Sequence, residues 1–286
     1  MSYKLNGDTA VEEGCGIQHE PLTIVGMGCC LPGQASSPSD LWHLLMQNKS
    51  GHCAVPKMRY NAEGFYHPNA DRPGSINSTG GYFLQEDPRL FENAFFGINN
   101  LEASSMNAQQ RKLLGVVYES FASGGVPATG SGPTILSNRV THCFDLRGPS
   151  VVLDTACSSS IYALHFACLT LDARDCGADV VASANLIQTP EQQLFAVKAG
   201  ILSPDSTCHT FDESANMCGR ADGVPALYLK RLSDAVRDGD PIRSVIRGTA
   251  VNGNGCTPGI AQSSIDGQEA VIRAAYRRAQ THPGET

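Results

Sequence analysis

The chain has 286 residues, 28 acidic and 21 basic, with a formal net charge of −7 at pH 7. Hydrophobic residues make up 41% and charged residues 17%, the latter below the roughly 25% of an average soluble protein, so a packed core is expected and global disorder is excluded. The acidic balance and the lack of a Lys/Arg cluster exclude a nucleic-acid-binding surface, and no apolar run approaches the roughly 18 residues of a membrane span.

Residues 1–20 are polar and aperiodic and read as a flexible lead-in. They lack a basic stretch followed by an apolar one, so no secretory signal is expected and the chain reads as cytoplasmic. Residues 22–25 predict a short strand, with Gly26, Gly28 and Gly33 turning the chain behind it. Ser36-Ser37-Pro38-Ser39-Asp40 reads as a helix start, with Leu41, Trp42, Leu44 and Leu45 as the apolar face and Lys49-Ser50-Gly51 as the end. Residues 52–100, rich in Gly, Pro, Asn and aromatic side chains, predict a loop-rich surface segment with a hairpin. Residues 102–124 predict one helix with Leu113, Leu114, Val117 and Phe121 facing inward. A second helix is expected over residues 133–145, with Ile135, Leu136 and Val140 on its inner side.

Residues 150–153 predict a β-branched apolar strand that runs into the small residues around Cys157, followed by a helix over residues 161–172. A buried strand over 178–187 and a polar, glycine-rich crossing over 201–223 follow. Then come a strand at 224–229, a helix at 232–238, a strand at 242–251, an Asn-Gly-Asn-Gly turn and a last helix at 266–279. This alternation predicts an α/β fold with a sheet buried between helical layers.

The 11 cysteines show neither a CxxC pair nor a zinc-ligand spacing, so no metal is expected and the thiols read as free. Ten of them read as small buried hydrophobes. Cys157 is set apart by its place between a predicted strand and a predicted helix. The unpaired N–H groups of a helix start stabilise a thiolate and can hold an oxyanion. Ala156, Ser158, Ser159 and Ser160 are small enough to leave the sulfur accessible, as in a nucleophile elbow. On periodicity alone, an inert core thiol remains the better reading.

Longer motifs carry further. Asp154-Thr155-Ala156-Cys157-Ser158-Ser159-Ser160 resembles the active-site signature of β-ketoacyl synthases in polyketide synthases. Ile24-Val25-Gly26-Met27-Gly28-Cys29-Cys30-Leu31-Pro32-Gly33 is similar to the start of such ketosynthase domains. Met106 to Arg111, Gly219-Arg220-Ala221-Asp222-Gly223 and Leu229-Lys230-Arg231-Leu232 are similar to further motifs of the family. The stretch from Phe65 to Gly97 looks most like highly reducing fungal enzymes. The resemblance covers about residues 20 to 286, so residues 21–286 read as a partial ketosynthase domain.

The resemblance implies a thiolase-like α/β fold, two similar halves layered αβαβα, assembled as a homodimer. It implies that Cys157 accepts an acyl chain from a phosphopantetheine thioester on an acyl carrier protein, with Ala156 and Ser158 beside the oxyanion. Gly219, Arg220 and Asp222 would belong to a loop at the pocket, Arg220 and Asp222 as an ion pair or loop anchor. Two histidines would then promote decarboxylation of a malonyl thioester for Claisen condensation. No bound cofactor is implied.

The chain departs from the family in two places. The His-Gly-Thr-Gly-Thr and Lys-Ser-Asn-Ile-Gly-His motifs that bear the histidines do not occur in it. They would lie beyond Thr286, in the second half of the fold. Gly124-Gly125-Val126-Pro127 also joins the preceding helix directly to Ala128-Thr129-Gly130-Ser131-Gly132, where the family has more chain, including a core strand. An internal strand missing from a sheet leaves unpaired backbone. His165, eight residues beyond Cys157 on the predicted helix, lies about 12 Å down its axis and does not reach the sulfur. His142 and His209 read as structural. Arg277-Arg278 reads as a solvated helix face, with contact to an acidic carrier protein as the alternative. The expected function is thus ketosynthase-type acyl transfer, with three alternatives kept open. One is a catalytically incomplete partner of a companion polyketide synthase, another a non-functional fragment, and the last an acyl-transfer or hydrolytic enzyme using Cys157 alone.

Overall fold

The computed structural model describes residues 20–124, 136–259 and 262–285. The expected lead-in thus lies outside the described residues except for Glu20, whose carboxylate accepts the Ser233 N–H at 2.7 Å. In chain order the elements are β1 Leu22–Cys30, α1 Pro38–Met46, β2 His52–Ala54, α2 Ala62–Phe65, β3 Gly80–Tyr82, α3 Asn100–Ser105, α4 Ala108–Ser123 and α5 Leu136–Cys143. There follow α6 Ser159–Asp172, β4 Ala178–Ala182, α7 Glu191–Lys198, β5 Val224–Arg231, α8 Leu232–Asp238, β6 Ser244–Ile246 and α9 Ile265–Ala279.

The main sheet has the order β4-β5-β1-β6, and its paired neighbours run antiparallel. α4 and α5 cover one face, where Val25, Leu113, Leu114, Val117, Phe121 and Tyr228 share a core. α6 covers the other, packing Ala167, Cys168 and Leu171 against Leu22, Val181 and Leu229. The sheet is therefore sandwiched between helical layers, as the strand–helix alternation predicts. β2 and β3 form a separate antiparallel pair, the expected hairpin opened by a long connection.

Glycine placement differs from the sequence expectation. Gly33, at φ 79°, does turn the chain. Gly26 and Gly28 instead lie inside β1, where α4 crosses too closely for a side chain. A Cβ at Gly26 would stand 2.0 Å from the Ser120 carbonyl oxygen, and one at Gly28 would stand 2.4 Å from that of Val116. Ser123 completes this seam, accepting the Met27 N–H at 2.7 Å and donating to the Met27 carbonyl at 3.0 Å.

The helix expected over residues 102–124 is two helices, α3 and α4. Asn107 ends the run because its side chain accepts the Gln109 N–H at 2.8 Å as an N-cap. α1 begins as expected, with Ser37 capping the Asp40 N–H at 3.1 Å and Pro38 in its first turn. Its expected apolar face is not buried, and Trp42 and Leu45 are each 62% exposed. β4 and β6 are shorter than the strands expected there, and α7 has no counterpart among the expected elements.

The largest correction concerns residues 150–153, which form no strand. Val151 and Val152 are 47% and 50% exposed. A strand requires a neighbour to take its N–H and C=O groups. Among the described residues none pairs with this segment, and β4 stands at the edge of the sheet without an outer neighbour.

Candidate active site

Residues 150–155 lead into a 3-10 turn at Ala156–Ser158, and α6 begins at Ser159. Ala156 sits at φ 56°, a left-handed conformation that costs a non-glycine residue roughly 1–2 kcal/mol. The reversal swings the chain so that Cys157 emerges exposed at the head of the helix. The turn is pinned by its own side chains. The Ser159 hydroxyl accepts the Thr155 N–H at 2.8 Å and donates to the Ala156 carbonyl at 2.7 Å. The Asp154 carboxylate accepts the Ala156 N–H at 3.0 Å. Ser158 spends its hydroxyl on Thr155, 2.9 Å from the carbonyl and 3.0 Å from Oγ1, and makes no side-chain cap at the start of α6. A helix start without a side-chain cap leaves first-turn N–H groups for another acceptor. Ser159 and Asp154 are the clamps of this turn, which the residue pattern alone did not single out.

The loop carrying Gly219, Arg220 and Asp222 lies between α7 and β5. Gly219 is required by a close approach: a Cβ there would stand 2.1 Å from the Ser206 carbonyl oxygen. Arg220 and Asp222 do not pair with each other. Arg220 reaches outward to the Gln192 side chain at 2.8 Å. Asp222, only 2% exposed, points inward and takes its ion pair from Arg59 at 2.8 Å, 163 positions away. It also accepts the Leu84 N–H at 3.0 Å and the Ile187 N–H at 2.7 Å. Burial pushes the Asp222 carboxyl up, and these three donors oppose that push. Asp222 is thus the anchor of the loop, and Arg59 is its missed partner. A second anchor explains Arg231: buried, it donates to Asp234 at 2.6 Å and to the Leu171 and Cys176 carbonyls at 2.9 and 3.0 Å, tying the end of α6 to β5.

His165 is buried on α6 with Nδ1 2.7 Å from Thr249 Oγ1 and Nε2 3.4 Å from Arg278 Nη1. Burial, aided by the Arg278 charge, holds its pKa below the usual histidine value. His209 pairs with Asp205 at 2.9 Å. Among the described residues, no group of three His, Cys, Asp or Glu side chains is arranged to hold a metal.

The cysteines divide by environment. Cys29, Cys143 and Cys168 are buried, and burial raises Cys29 and Cys168 to about 11. Cys157, Cys208 and Cys256 are exposed. The expectation of buried thiols at every position but Cys157 therefore holds fully only at Cys29, Cys143 and Cys168; Cys30, Cys53, Cys176 and Cys218 are half-buried, Cys208 and Cys256 are exposed on polar loops, and Cys15 lies outside the described residues.

The family model of the Beta-ketoacyl synthase, N-terminal domain, matches residues 19–132 and 122–235. Highly reducing polyketide synthase 19 of Pyricularia oryzae is 55% identical over 302 aligned residues, covering 93% of this chain and 12% of that protein. Highly reducing polyketide synthase srdA of Neurospora crassa is 52% identical over 317 residues, covering 99% of this chain and 13% of that protein. Both alignments are longer than the 286 residues of this chain, so each relative carries inserted chain within the matched span. The two family matches meet at residues 122–132, the place of the short connection.

Among solved structures, the oxazolomycin ketosynthase domain of Streptomyces albus superposes with a TM-score of 0.87 at 30% identity, covering 92% of this chain and 51% of that one. The ketosynthase from module 6 of the bacillaene synthase of Bacillus subtilis gives 0.84 at 30% identity, over 92% and 49%. The chain thus spans about half the length of these ketosynthases and 12–13% of the fungal relatives. The α–sheet–α sandwich is the first half of a thiolase-like fold, and the chain belongs to the β-ketoacyl synthase family, with highly reducing polyketide synthases of fungi among its relatives.

Proposed function

We propose that Cys157 is the acyl-accepting nucleophile of a ketosynthase-type acyl transfer in polyketide biosynthesis, within a partial ketosynthase domain over residues 21–286. The observation that carries this reading is the exposed Cys157 on a strained turn at the uncapped start of α6. The sulfur attacks the carbonyl carbon of a phosphopantetheine thioester. Electrons move to the carbonyl oxygen, which first-turn N–H groups of α6 can receive, those of Thr155 and Ala156 being held by Ser159 and Asp154. Collapse of this intermediate expels the pantetheine thiolate and leaves the acyl group on Cys157. The substrates are carrier-protein-bound acyl and malonyl thioesters, and the partner is an acyl carrier protein or companion polyketide synthase, with the homodimer implied by the family.

Acylation requires only this sulfur and its oxyanion donors, whereas condensation also requires groups that promote decarboxylation. The family's histidine motifs do not occur in these 286 residues, and His165 is engaged with Thr249 and Arg278. That observation favours a second reading, a catalytically incomplete ketosynthase-like chain acting as partner or scaffold.

Intact mass after incubation with an acyl-pantetheine thioester separates the outcomes. Acyl transfer predicts one adduct on the wild type and none on Cys157→Ala. No adduct on the wild type, under conditions that acylate a full-length ketosynthase, removes the enzymatic reading. An adduct without carbon dioxide release from a malonyl thioester leaves acyl transfer in place and assigns condensation to a partner.

A further inference from the structure

We propose that Cys208 and Cys218 form an oxidation site that hydrogen peroxide closes to a disulfide, strapping the loop between α7 and β5. This goes beyond acyl transfer and does not depend on Cys157. The loop folds back so that Cys218 lies beside residues 201–203: its N–H donates to the Ile201 carbonyl at 3.1 Å, and its carbonyl accepts the Ser203 N–H at 2.9 Å. Cys208 meets it from the other end, its sulfur accepting the Gly219 N–H at 3.1 Å. That amide nitrogen is joined through one carbonyl carbon to the Cys218 Cα. By standard covalent geometry, the Cys208 sulfur is then no more than about 5.5 Å from the Cys218 Cα. In a disulfide each sulfur stands about 3–4.5 Å from the partner's Cα by standard bond lengths and angles, a range that this bound contains. The Cys218 thiol is turned to the Ile201 carbonyl at 3.2 Å, so rotation about its Cα–Cβ bond is the motion that brings it to Cys208.

Access and backbone shape agree with this pairing. Cys208 is exposed and Cys218 half-buried, so peroxide meets Cys208 first. Met217, immediately before Cys218, is held at φ 100°, and Phe211 within the strap at φ 62°. Backbone strain of this kind persists where surrounding contacts over-determine it. Here it marks the bend that returns the chain to Cys208.

The chemistry balances without a cofactor. The Cys208 thiolate attacks one peroxide oxygen, giving a sulfenic acid and, after proton transfer, water. The Cys218 thiol attacks that sulfur, forming the S–S bond and releasing a second water. Two thiols lose two electrons to one peroxide. Burial raises the Cys218 thiol above its ordinary value, so the second step quickens as pH rises.

The test uses the purified folded chain with hydrogen peroxide, read by intact mass and non-reducing peptide mapping. The expected product has lost two hydrogens and yields a peptide pair linking Cys208 to Cys218 that separates on reduction. Cys157→Ala and Cys256→Ser keep that product, whereas Cys208→Ser and Cys218→Ser each lose it. Circular dichroism of the two serine variants checks that they remain folded. A linkage of Cys218 to Cys157, or oxygen adducts on Cys157 and Cys256 with Cys208 and Cys218 still reduced, overturns the proposal.

Discussion

Ala156 carries the conformational cost of presenting Cys157. A left-handed backbone at a non-glycine residue persists only when neighbours hold it, and here Ser159 and Asp154 do so through three hydrogen bonds. Glycine adopts this conformation without the Cβ penalty, at some cost in unfolded-state entropy. Ala156→Gly is accordingly expected to raise stability by about 0.5–1 kcal/mol, the left-handed penalty less the entropy of the new glycine. The measurement is the urea midpoint at unchanged slope. A lower midpoint would mean that the alanine methyl makes contacts worth more than the strain it brings. Cys157 alkylation, followed in the same variant, reports whether the turn still presents the sulfur.

At the scale of elements, Arg278 is one tie of α9 to α6 and the chain after β6, beside the Asn252 side chain, which donates to the Gly267 carbonyl at 2.7 Å. The Arg278 guanidinium donates to the Thr249 carbonyl at 3.2 Å and stands 3.4 Å from His165 Nε2. Protonating His165 would set two cations together, and burial with that charge already lowers its pKa. The unfolded chain therefore binds this proton near the ordinary value of about 6.5, before the native chain does. Native stability falls as pH drops through that value and stops falling once the lowered native pKa is passed. Asp87, held down to about 2 by Arg89, titrates well below this window. Burial raises Glu119, Asp179 and Asp222, which act with the opposite sign. The reading is therefore a difference: between about pH 7 and pH 5, the melting temperature of His165→Gln falls less than that of the wild type. Parallel slopes would show that the His165–Arg278 contact contributes nothing. Which elements were legible in advance follows the same local-versus-distant division. Helix α8, the Ser37 cap and the Cys157 turn are written in neighbouring residues. The break at Asn107 is a capping signal overridden in the pattern by continuous apolar spacing. α7 turns a polar residue, Gln193, into the core beside Ala196 and Val197, so it shows no clean apolar stripe. Gly26 and Gly28 depend on a helix crossing them from about 90 positions away. Asp222 depends on Arg59 and residues 150–153 on a neighbouring strand, and no local pattern carries either.

At the scale of the whole molecule, the sandwich is closed on the α4 side and open beyond α6. The sequence of α6, Ser-Ser-Ile-Tyr-Ala-Leu-His-Phe-Ala-Cys-Leu-Thr-Leu-Asp, is apolar around nearly its whole circumference. A helix of that kind belongs in an interior. Its inner side does pack on the sheet through Ala167, Cys168 and Leu171, yet Ile161, Phe166 and Leu169 face outward and exposed. Ile265 and Ile272 of α9 are exposed as well. Solved ketosynthases carry about as much chain again beyond the part matched here, so in those proteins more polypeptide is available to cover such a face. Exposed apolar clusters on an isolated chain promote association. The purified 286-residue chain is thus expected to bind an apolar dye such as anilinonaphthalene sulfonate and to self-associate as concentration rises. The paired change Phe166→Gln with Leu169→Gln removes two aromatic or aliphatic groups from the outer side and leaves the inner packing alone. It is expected to lower dye binding and shift sedimentation toward monomer, with the far-ultraviolet dichroism unchanged. A wild-type chain that stays monodisperse, binds no dye and is indifferent to both substitutions would mean that the outer side of α6 is covered within the chain itself. The assignment of an open half-fold would then give way to a self-sufficient domain.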